Sequence, residues 1–222
     1  LIEGLLDISK IEAGRLDIHR DQVRIGDLMD QVVYMFQLQA EKKGLSFKYN
    51  QITPLPEYVT TDEKRLRQIL INLISNAIKF TQHGHVHVSL KYRTQVAEFT
   101  ISDSGVGIPE EELERIFKPF ERVRRPGVPI VPGTGLGLTI SRLLVDIMGG
   151  DIEVKNNPEG GCTFKVWLML SQVVKAHSAQ LANHRVYGYK GARKTILVVD
   201  DDASHRGLLS DMLSPLGFIV LE

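Results

Sequence analysis

Three polar side chains share one face of a predicted helix. Asn72, Asn76 and Lys79 are spaced by four and three residues, so an α-helix brings them onto one side. An amide oxygen is a suitable ligand for Mg²⁺, which binds oxygen and keeps water and substrate phosphates in its shell. A lysine one turn further along the helix can reach a phosphate group. The spacing equally fits an ordinary solvent-exposed helix face, so this helix alone leaves both interpretations open.

A glycine-rich segment with one carboxylate, Asp103-Ser-Gly105-Val-Gly107, follows this helix in the sequence. Asp103 ends an apolar stretch that predicts a strand over residues 97–103. Its carboxylate can accept a hydrogen bond from an exocyclic amine such as adenine N6, and the glycines allow the backbone to turn closely around a flat ligand. A glycine-rich turn with an Asx cap is the structural alternative.

A second glycine-rich segment, Gly133-Thr-Gly135-Leu-Gly137, opens a helix that is predicted over residues 136–148. Free amides at the N-terminus of a helix favour phosphate. The segment lacks the Gly-Lys-Ser/Thr of a Walker loop and the spacing of a dinucleotide fingerprint. The order of the three segments indicates a nucleotide site that holds adenine, a triphosphate and Mg²⁺.

The helix with the polar face is predicted over residues 62–82, and Asp62 is a suitable N-cap. Its apolar residues recur at the spacing of one buried helical face. They are Leu66, Ile69, Leu70, Leu73, Ile74, Ala77 and Ile78. The polar residues lie on the other face of the same helix.

Four segments resemble, in this order, the ATP-binding motifs of sensor histidine kinases, which share the GHKL superfamily with gyrase, heat-shock chaperones and mismatch-repair ATPases. They are residues 72–81, 103–109, 116–120 and 133–138. The resemblance extends from Arg15 to about Leu170. It implies a Bergerat-type α/β (α+β) sandwich, in which three helices cover one face of a mixed β-sheet. ATP would lie between the helices and a mobile lid.

The resemblance also implies roles for individual residues. Asn76 would bind Mg²⁺, Asn72 would lie near the phosphates and Lys79 would contact phosphate, and these three are the predicted catalytic residues. Asp103 would bind adenine. The residues that the resemblance assigns to the ATP site, with two phenylalanines anchoring the lid, are Asn72, Asn76, Lys79, Phe80, Asp103, Gly105, Gly107, Ile108, Phe117, Phe120, Gly133, Thr134, Gly135, Leu136, Gly137 and Leu138.

Asn72 distinguishes two kinds of chemistry within this superfamily. The gyrase-like hydrolases carry glutamate at the matching position, where it activates water, whereas asparagine is neutral and cannot act as a general base. The sequence therefore favours transfer of the ATP γ-phosphoryl group to a protein histidine over hydrolysis of ATP. A non-catalytic nucleotide-binding regulatory module and, third, a GHKL-type ATPase are the alternatives.

The resemblance divides the chain into four parts. They are the end of a dimerisation (stem) helix at residues 1–14, the catalytic domain at 15–171, a linker at 172–193, and the start of a truncated receiver domain of a hybrid kinase at 194–222. In receivers an acidic pair, here Asp200 and Asp201, helps to hold Mg²⁺, and the phospho-accepting aspartate lies further on. A doubly wound receiver needs later strands and helices to cover its first strands, so we expect residues 194–222 to be mobile, poorly packed or pinned by another molecule.

None of the seven histidines has the sequence context of a phosphorylated stem histidine. The expected partners are a histidine-bearing dimerisation stem and receiver or phosphotransfer proteins, with a homodimeric full-length parent. The chain alone should not autophosphorylate.

The composition excludes some functions. The chain has 27 basic and 27 acidic residues and a formal net charge of zero, so no general attraction to nucleic acid or to an anionic membrane follows. No apolar run approaches membrane length, and a cytoplasmic location is predicted for this part of a parent that could be anchored elsewhere. The single cysteine, Cys162, excludes an internal disulfide and is expected to be a packed small residue at a strand start.

Two further groups of residues have open interpretations. The alternating His83, His85 and His87 would share one face of a strand, where they could hold Zn²⁺, although histidines on such a hairpin are more often surface residues. Positive charges in the predicted lid could steer ATP or contact its γ-phosphate, or could be solvated. They are Lys118, Arg122, Arg124 and Arg125.

Overall fold

The computed structural model describes residues 6, 8–9, 11, 13, 15–121, 134–173, 194–199, 206–207, 209–210, 213–214 and 217–221. The chain divides into two compact units, Leu1–Val174 and Lys175–Glu222. All of the predicted ATP-site residues belong to the first unit.

The described part of the first unit alternates between strands and helices. Its strands are β1 (Asp21–Val23), β2 (Ser46–Gln51), β3 (Val59–Thr61), β4 (His85–Arg93), β5 (Val96–Asp103), β6 (Asp151–Asn156), β7 (Cys162–Met169) and β8 (Ser171–Gln172). Its helices are α1 (Ile25–Lys43), α2 (Glu63–Phe80) and α3 (Gly137–Ile147). Two short 3₁₀ turns, Glu110–Glu112 and Arg115–Phe117, lie between β5 and α3.

The main sheet has five strands in the order β2-β4-β5-β7-β6. The edge strand β2 runs parallel to β4, and the other neighbouring pairs are antiparallel. This mixed sheet with its helices confirms the predicted fold class. A small antiparallel sheet, β1-β3-β8, lies in the same unit.

The core lies between the helices and one face of the main sheet. Alternate residues of the central strands are buried, as in Val86, Val88 and Leu90 of β4, because successive side chains of a strand point to opposite faces. Phe36 of α1 and Leu144 of α3 belong to the same buried cluster. The outward side chains of β5 are only half-buried, so the helices cover one face of the sheet.

The sequence pattern of α2 is matched closely by its burial. All seven predicted apolar residues are buried, and the Asp62 side chain accepts a hydrogen bond from the Arg65 amide at 3.0 Å as the N-cap. Burial of each large apolar side chain contributes about 1.5–3 kcal/mol. The packing of this stripe therefore fixes the rotation of α2 about its axis, and with it the direction of the polar face.

Some predictions about the first 14 residues fall on described positions. Ile8 is buried in the core cluster and Ile11 packs against it. Leu1, Leu5 and Gly14 lie outside the described residues.

The second unit contains the strands β9 (Thr195–Leu197) and β10 (Ile219–Leu221), which pair in parallel. Parallel pairing agrees with the two strands that were predicted here. Leu197 and Val199 are nevertheless 66% and 84% exposed, unlike the buried strands of a complete doubly wound sheet. Asp200, Asp201 and most of the predicted linker lie outside the described residues, and the receiver interpretation stays a prediction.

Candidate nucleotide-binding site

The polar face of α2 lies against the beginning of α3. Asn72, Asn76 and Lys79 are all half-buried. Asn72 Nδ2 donates to the Gly137 carbonyl oxygen at 3.2 Å and to Ser141 Oγ at 3.4 Å. The first predicted catalytic residue therefore connects α2 to the glycine-rich segment that opens α3.

The C-terminal end of α2 lies against residues 103–108, which we call the base loop. A Cβ atom built on Gly105 would lie 2.6 Å from the Phe80 carbonyl oxygen, so the two backbones touch. Lys79 Nζ lies 5.3 Å from the centre of the Phe80 ring, and this ring is 43% exposed. Asn72 and Phe80 are separated by about 12 Å along the helix axis. Helix α2 therefore links the two glycine-rich segments, and its polar face runs between them.

Asp103 is buried at the start of the base loop, with 3% of its surface exposed. Its Oδ1 accepts hydrogen bonds from the Gly105 amide at 2.9 Å and the Cys162 amide at 3.4 Å. Its Oδ2 accepts one from Cys162 Sγ at 3.1 Å. A buried carboxylate needs such donors to offset its desolvation, and they hold its plane in one orientation.

The hydrogen bond of the Cys162 thiol to Asp103 is a contact that the sequence did not indicate. Its predicted burial is confirmed, since only 7% of the residue is exposed. Burial, with the neighbouring Asp103 carboxylate, raises the pKa of this thiol. The sulfur therefore keeps its proton at neutral pH and acts as a hydrogen-bond donor.

The predicted lid begins at two phenylalanines with different surroundings. The half-buried Phe117 meets the edge of Phe164 at 6.5 Å between ring centres, and the Arg142 guanidinium lies 5.5 Å from its centre. Phe120 is 59% exposed and has a left-handed φ of 64°. Phe117 thus packs against the core, whereas Phe120 presents its ring to solvent.

The segments on both sides of the lid meet at Phe120 and Gly135. The Phe120 amide donates to the Gly135 carbonyl oxygen at 3.1 Å. Gly135 has a φ of +73°, and a Cβ built there would lie 3.0 Å from Phe120 Cα, so only glycine fits without strain. Gly133 and the arginines at 122, 124 and 125 lie outside the described residues.

The first turn of α3 follows directly. The Leu136 amide donates to Thr134 Oγ1 at 3.3 Å. Leu136 is buried at 2% exposure and Leu138 packs against the core, so these two would take part in a site through their backbone. Among buried side-chain atoms of the described residues, Thr139 Oγ1 is without a hydrogen-bond partner.

The predicted site residues within the described part of the chain meet α2 at two places. The base loop, which contains Gly107 and Ile108, lies at the C-terminal end of α2, and the first turn of α3 lies beside Asn72 in the middle of the helix, while the two phenylalanines precede the lid. Their roles in binding stay predictions. Further residues touch this set although no sequence pattern indicated them, among them Ser141, Arg142, Asn156, Asn157, Gly161 and Phe164.

The described residues do not form a metal site that is built from several protein ligands. The described residues contain no group of three or more His, Cys, Asp or Glu side chains that could hold a metal ion. The rings of His85 and His87 stack at 4.4 Å between centres, and the pKa of His87 is lowered by partial burial and by the nearby His85 and Lys48. The half-buried Asn76 carries an amide oxygen, and a single protein ligand of this kind would fit a Mg²⁺ that takes its other ligands from water and phosphate.

Comparison with known families identifies the domain. A model described as histidine kinase-, DNA gyrase B- and HSP90-like ATPase matches residues 61–172, which is half of the chain. The chain belongs to this family. The match begins just before α2 and ends at β8, so it includes all of the elements that surround the candidate site.

Histidine kinases are among its relatives. The aerobic respiration control sensor protein ArcB of Escherichia coli is 39% identical over 178 residues, which are 79% of this chain and 23% of ArcB. The signal transduction histidine-protein kinase BarA of Escherichia coli is 38% identical over 174 residues, or 74% of this chain and 18% of BarA. The chain therefore spans less than a quarter of these curated relatives.

A solved structure has a similar fold. Full-length ShkA in complex with AMPPNP superposes with a TM-score of 0.67 at 26% identity, covering 99% of this chain and 44% of ShkA. No helix in the described part of our chain is both long and apolar enough to cross a bilayer.

Proposed function

We propose that this chain is the ATP-binding catalytic domain of a hybrid histidine kinase, which transfers the γ-phosphoryl group of ATP to a histidine on a dimerisation stem. The observation that carries the proposal is the position of α2 between two glycine-rich segments, with Asn72 tied to Gly137 and Phe80 touching Gly105. An extended nucleotide can bridge such segments, with its base at one and its phosphates at the other. The AMPPNP complex of the related ShkA supports ATP as the nucleotide.

The base loop would bind adenine. Asp103 Oδ1 and Oδ2 are held by three donors, which orient the carboxylate to accept a hydrogen bond from the exocyclic amine. Guanine carries a carbonyl oxygen at the corresponding position, and it would meet the carboxylate oxygen with no proton between them. This difference would give the site its preference for adenine.

The beginning of α3 would hold the phosphates. Amides in the first turn of a helix lack partners within the helix and attract anions. Lys79 lies on the same polar face of α2, seven residues beyond Asn72 towards the base loop, and adds a positive charge to that face, while Asn76 would supply one oxygen ligand to Mg²⁺. When bound, Mg²⁺ supplies neutralisation of the phosphate charge.

Asn72 favours transfer over hydrolysis. Its amide nitrogen already donates to α3, and a neutral amide does not take a proton from water. The domain would therefore bind and orient ATP without providing a base that activates water. The nitrogen that attacks the γ-phosphate would come from the stem histidine. A homodimeric parent, receiver or phosphotransfer partners and a cytoplasmic location belong to the same proposal.

Calorimetry on the purified chain with ADP and Mg²⁺ tests nucleotide binding. We expect a dissociation constant in the micromolar to millimolar range that is typical of such sites, about 1 μM to 1 mM. Asp103→Asn should lower the preference for ADP over GDP, because the amide can present a donor where an acceptor is needed. Asn50→Ala, an exposed residue of β2, is the matched control and should bind as the wild type does. Absence of heat from folded wild-type protein would refute the proposal.

Radiolabelled ATP tests the reaction itself. The chain should incorporate no label alone, and should transfer acid-labile label to a separately purified stem that carries the phosphorylatable histidine. Phosphate release without transfer would favour the ATPase alternative. Nucleotide binding with neither reaction would favour the regulatory module.

A further inference from the structure

The turn between β6 and β7 lies directly against the base loop. Asn156, the last residue of β6, faces Ile108 at the end of this loop. Its Oδ1 accepts a hydrogen bond from the Ile108 amide at 2.8 Å, and its Nδ2 donates to the Ile108 carbonyl oxygen at 2.6 Å. The side chain therefore pairs with the backbone of Ile108 in the way that a neighbouring strand would.

The next residue holds the other end of the loop. Asn157 Nδ2 donates to the Asp103 carbonyl oxygen at 2.8 Å and to Ser102 Oγ at 3.2 Å. Asn157 Oδ1 accepts a hydrogen bond from Thr163 Oγ1 at 2.7 Å, and the hydroxyls of Thr163 and Ser102 lie 2.8 Å apart. These partners fix the amide so that its nitrogen faces Asp103.

The backbones themselves are in close contact. Gly161 has a φ of +81°, and a Cβ built there would lie 2.0 Å from the Asp103 carbonyl oxygen. A Cβ on Gly107 would lie 3.1 Å from Asn156 Oδ1 and 3.2 Å from the Gly161 carbonyl oxygen. The turn and the base loop thus pack together without space for a side chain at Gly161 or Gly107.

We propose that Asn156 and Asn157 are positioning residues that set the adenine preference of the site. This inference rests on the proposed nucleotide-binding function. The base loop contains two glycines, which lose more conformational freedom on ordering than other residues do. Asn157 fixes the carbonyl of Asp103 and Asn156 fixes both backbone polar groups of Ile108, so the two asparagines restrain the loop at both ends. Neither side chain needs to touch the nucleotide.

Asn156→Ala and Asn157→Ala test the proposal, with Asn50→Ala as the control. Each variant removes two or more hydrogen bonds to the loop or its neighbours. We expect about tenfold weaker ADP·Mg²⁺ binding, because two neutral hydrogen bonds together stabilise by about the free energy of a tenfold change. The preference for ADP over GDP should fall by a similar factor. In the transfer assay, KM for ATP should rise while kcat is unchanged.

Amide hydrogen exchange separates this proposal from the proposed function. Without nucleotide, amides of residues 104–108 should exchange faster in both variants than in the wild type, while those of α2 should be unchanged. Normal exchange together with unchanged base preference in both variants would overturn the positioning role. A wild type that binds no nucleotide would refute the proposed function and the adenine preference with it. Asn156 is exposed, so its variant gives a result even if Asn157→Ala fails to fold.

Discussion

Replacing Gly161 with alanine measures how tightly the β6–β7 turn packs against the base loop. Gly161 has a φ of +81°, and the left-handed conformation alone costs alanine about 1–2 kcal/mol. The new Cβ would lie 2.0 Å from the Asp103 carbonyl oxygen, whereas ordinary van der Waals contact begins at 3.4 Å. The turn and the loop must therefore separate by about 1.4 Å, because close-packed interiors have no free volume to absorb the clash.

This separation should break the hydrogen bond from Asn157 to Asp103, which contributes about 1 kcal/mol. The expected loss of unfolding free energy is therefore at least about 2–3 kcal/mol, the sum of the conformational strain and the lost hydrogen bond, and the clash adds to it. Gly149→Ala is the matched control, because Gly149 has a φ of +73° and a Cβ there would meet nothing within 4 Å. It should lose only the conformational part, about 1–2 kcal/mol.

Urea unfolding followed by tryptophan fluorescence compares the two variants. Trp167 is the single tryptophan of the chain and lies in β7, where its Nε1 donates to Glu98 at 3.1 Å. It therefore reports on the unit that contains the site. Equal midpoints and equal slopes for the two alanine variants would show that the turn is not packed as described. ADP binding should weaken only in Gly161→Ala.

Three other perturbations have defined outcomes. Asn76→Ala should remove the Mg²⁺-dependent part of ADP affinity, because a ligand of the ion is lost; calorimetry with and without Mg²⁺ measures this, and an unchanged Mg²⁺ effect would exclude Asn76 as a ligand. Cys162 should react with Ellman's reagent at pH 8 only after unfolding in urea, since burial raises its pKa and the thiolate is the nucleophile; rapid labelling of the folded chain would contradict this. Burial, with the charge of Asp30, raises the pKa of Tyr49 from 10.0 to about 12. The neutral phenol of Tyr49 should contribute its full share of stability below pH 10, and that share should be lost as the pH rises to about 12. Between these pH values the melting temperature of the wild type should therefore fall more steeply than that of Tyr49→Phe.

Local patterns predicted α2 within two residues at each end. Its N-cap and its buried stripe depend on neighbours one turn away, and the structure places Asp62 and the apolar residues accordingly. The strand that ends at Asp103 and the helix after Gly135 were predicted for the same reason. The mixed sheet required the resemblance to a family, because no local pattern gives the order of strands.

The surroundings of Asp103 could not be predicted from local patterns. Asn156-Asn-Pro-Glu-Gly-Gly161 predicts a turn, but the sequence does not say what the turn packs against. The contact of Cys162 with Asp103 depends on the pairing of β5 with β7. The resemblance assigned Leu136 to the ligand site, yet its side chain is buried in the core. The spacing of glycines indicates where the backbone turns, but it does not show whether the side chain of a residue between two glycines points to the ligand or to the core.

The contacts between the β6–β7 turn and the base loop also determine when the site can form during folding. Ile108, Asp103 and their partners in the turn are separated by 48 to 59 residues along the chain. Contacts this distant form only after a large loop has closed, whereas the backbone hydrogen bonds of α2 are local in sequence. A growing chain would therefore display Asn76 and Lys79 well before the base loop has its final shape. The proposed binding of adenine by Asp103 would become available only once β7 has joined the sheet, so an incompletely synthesised domain would lack this part of the site.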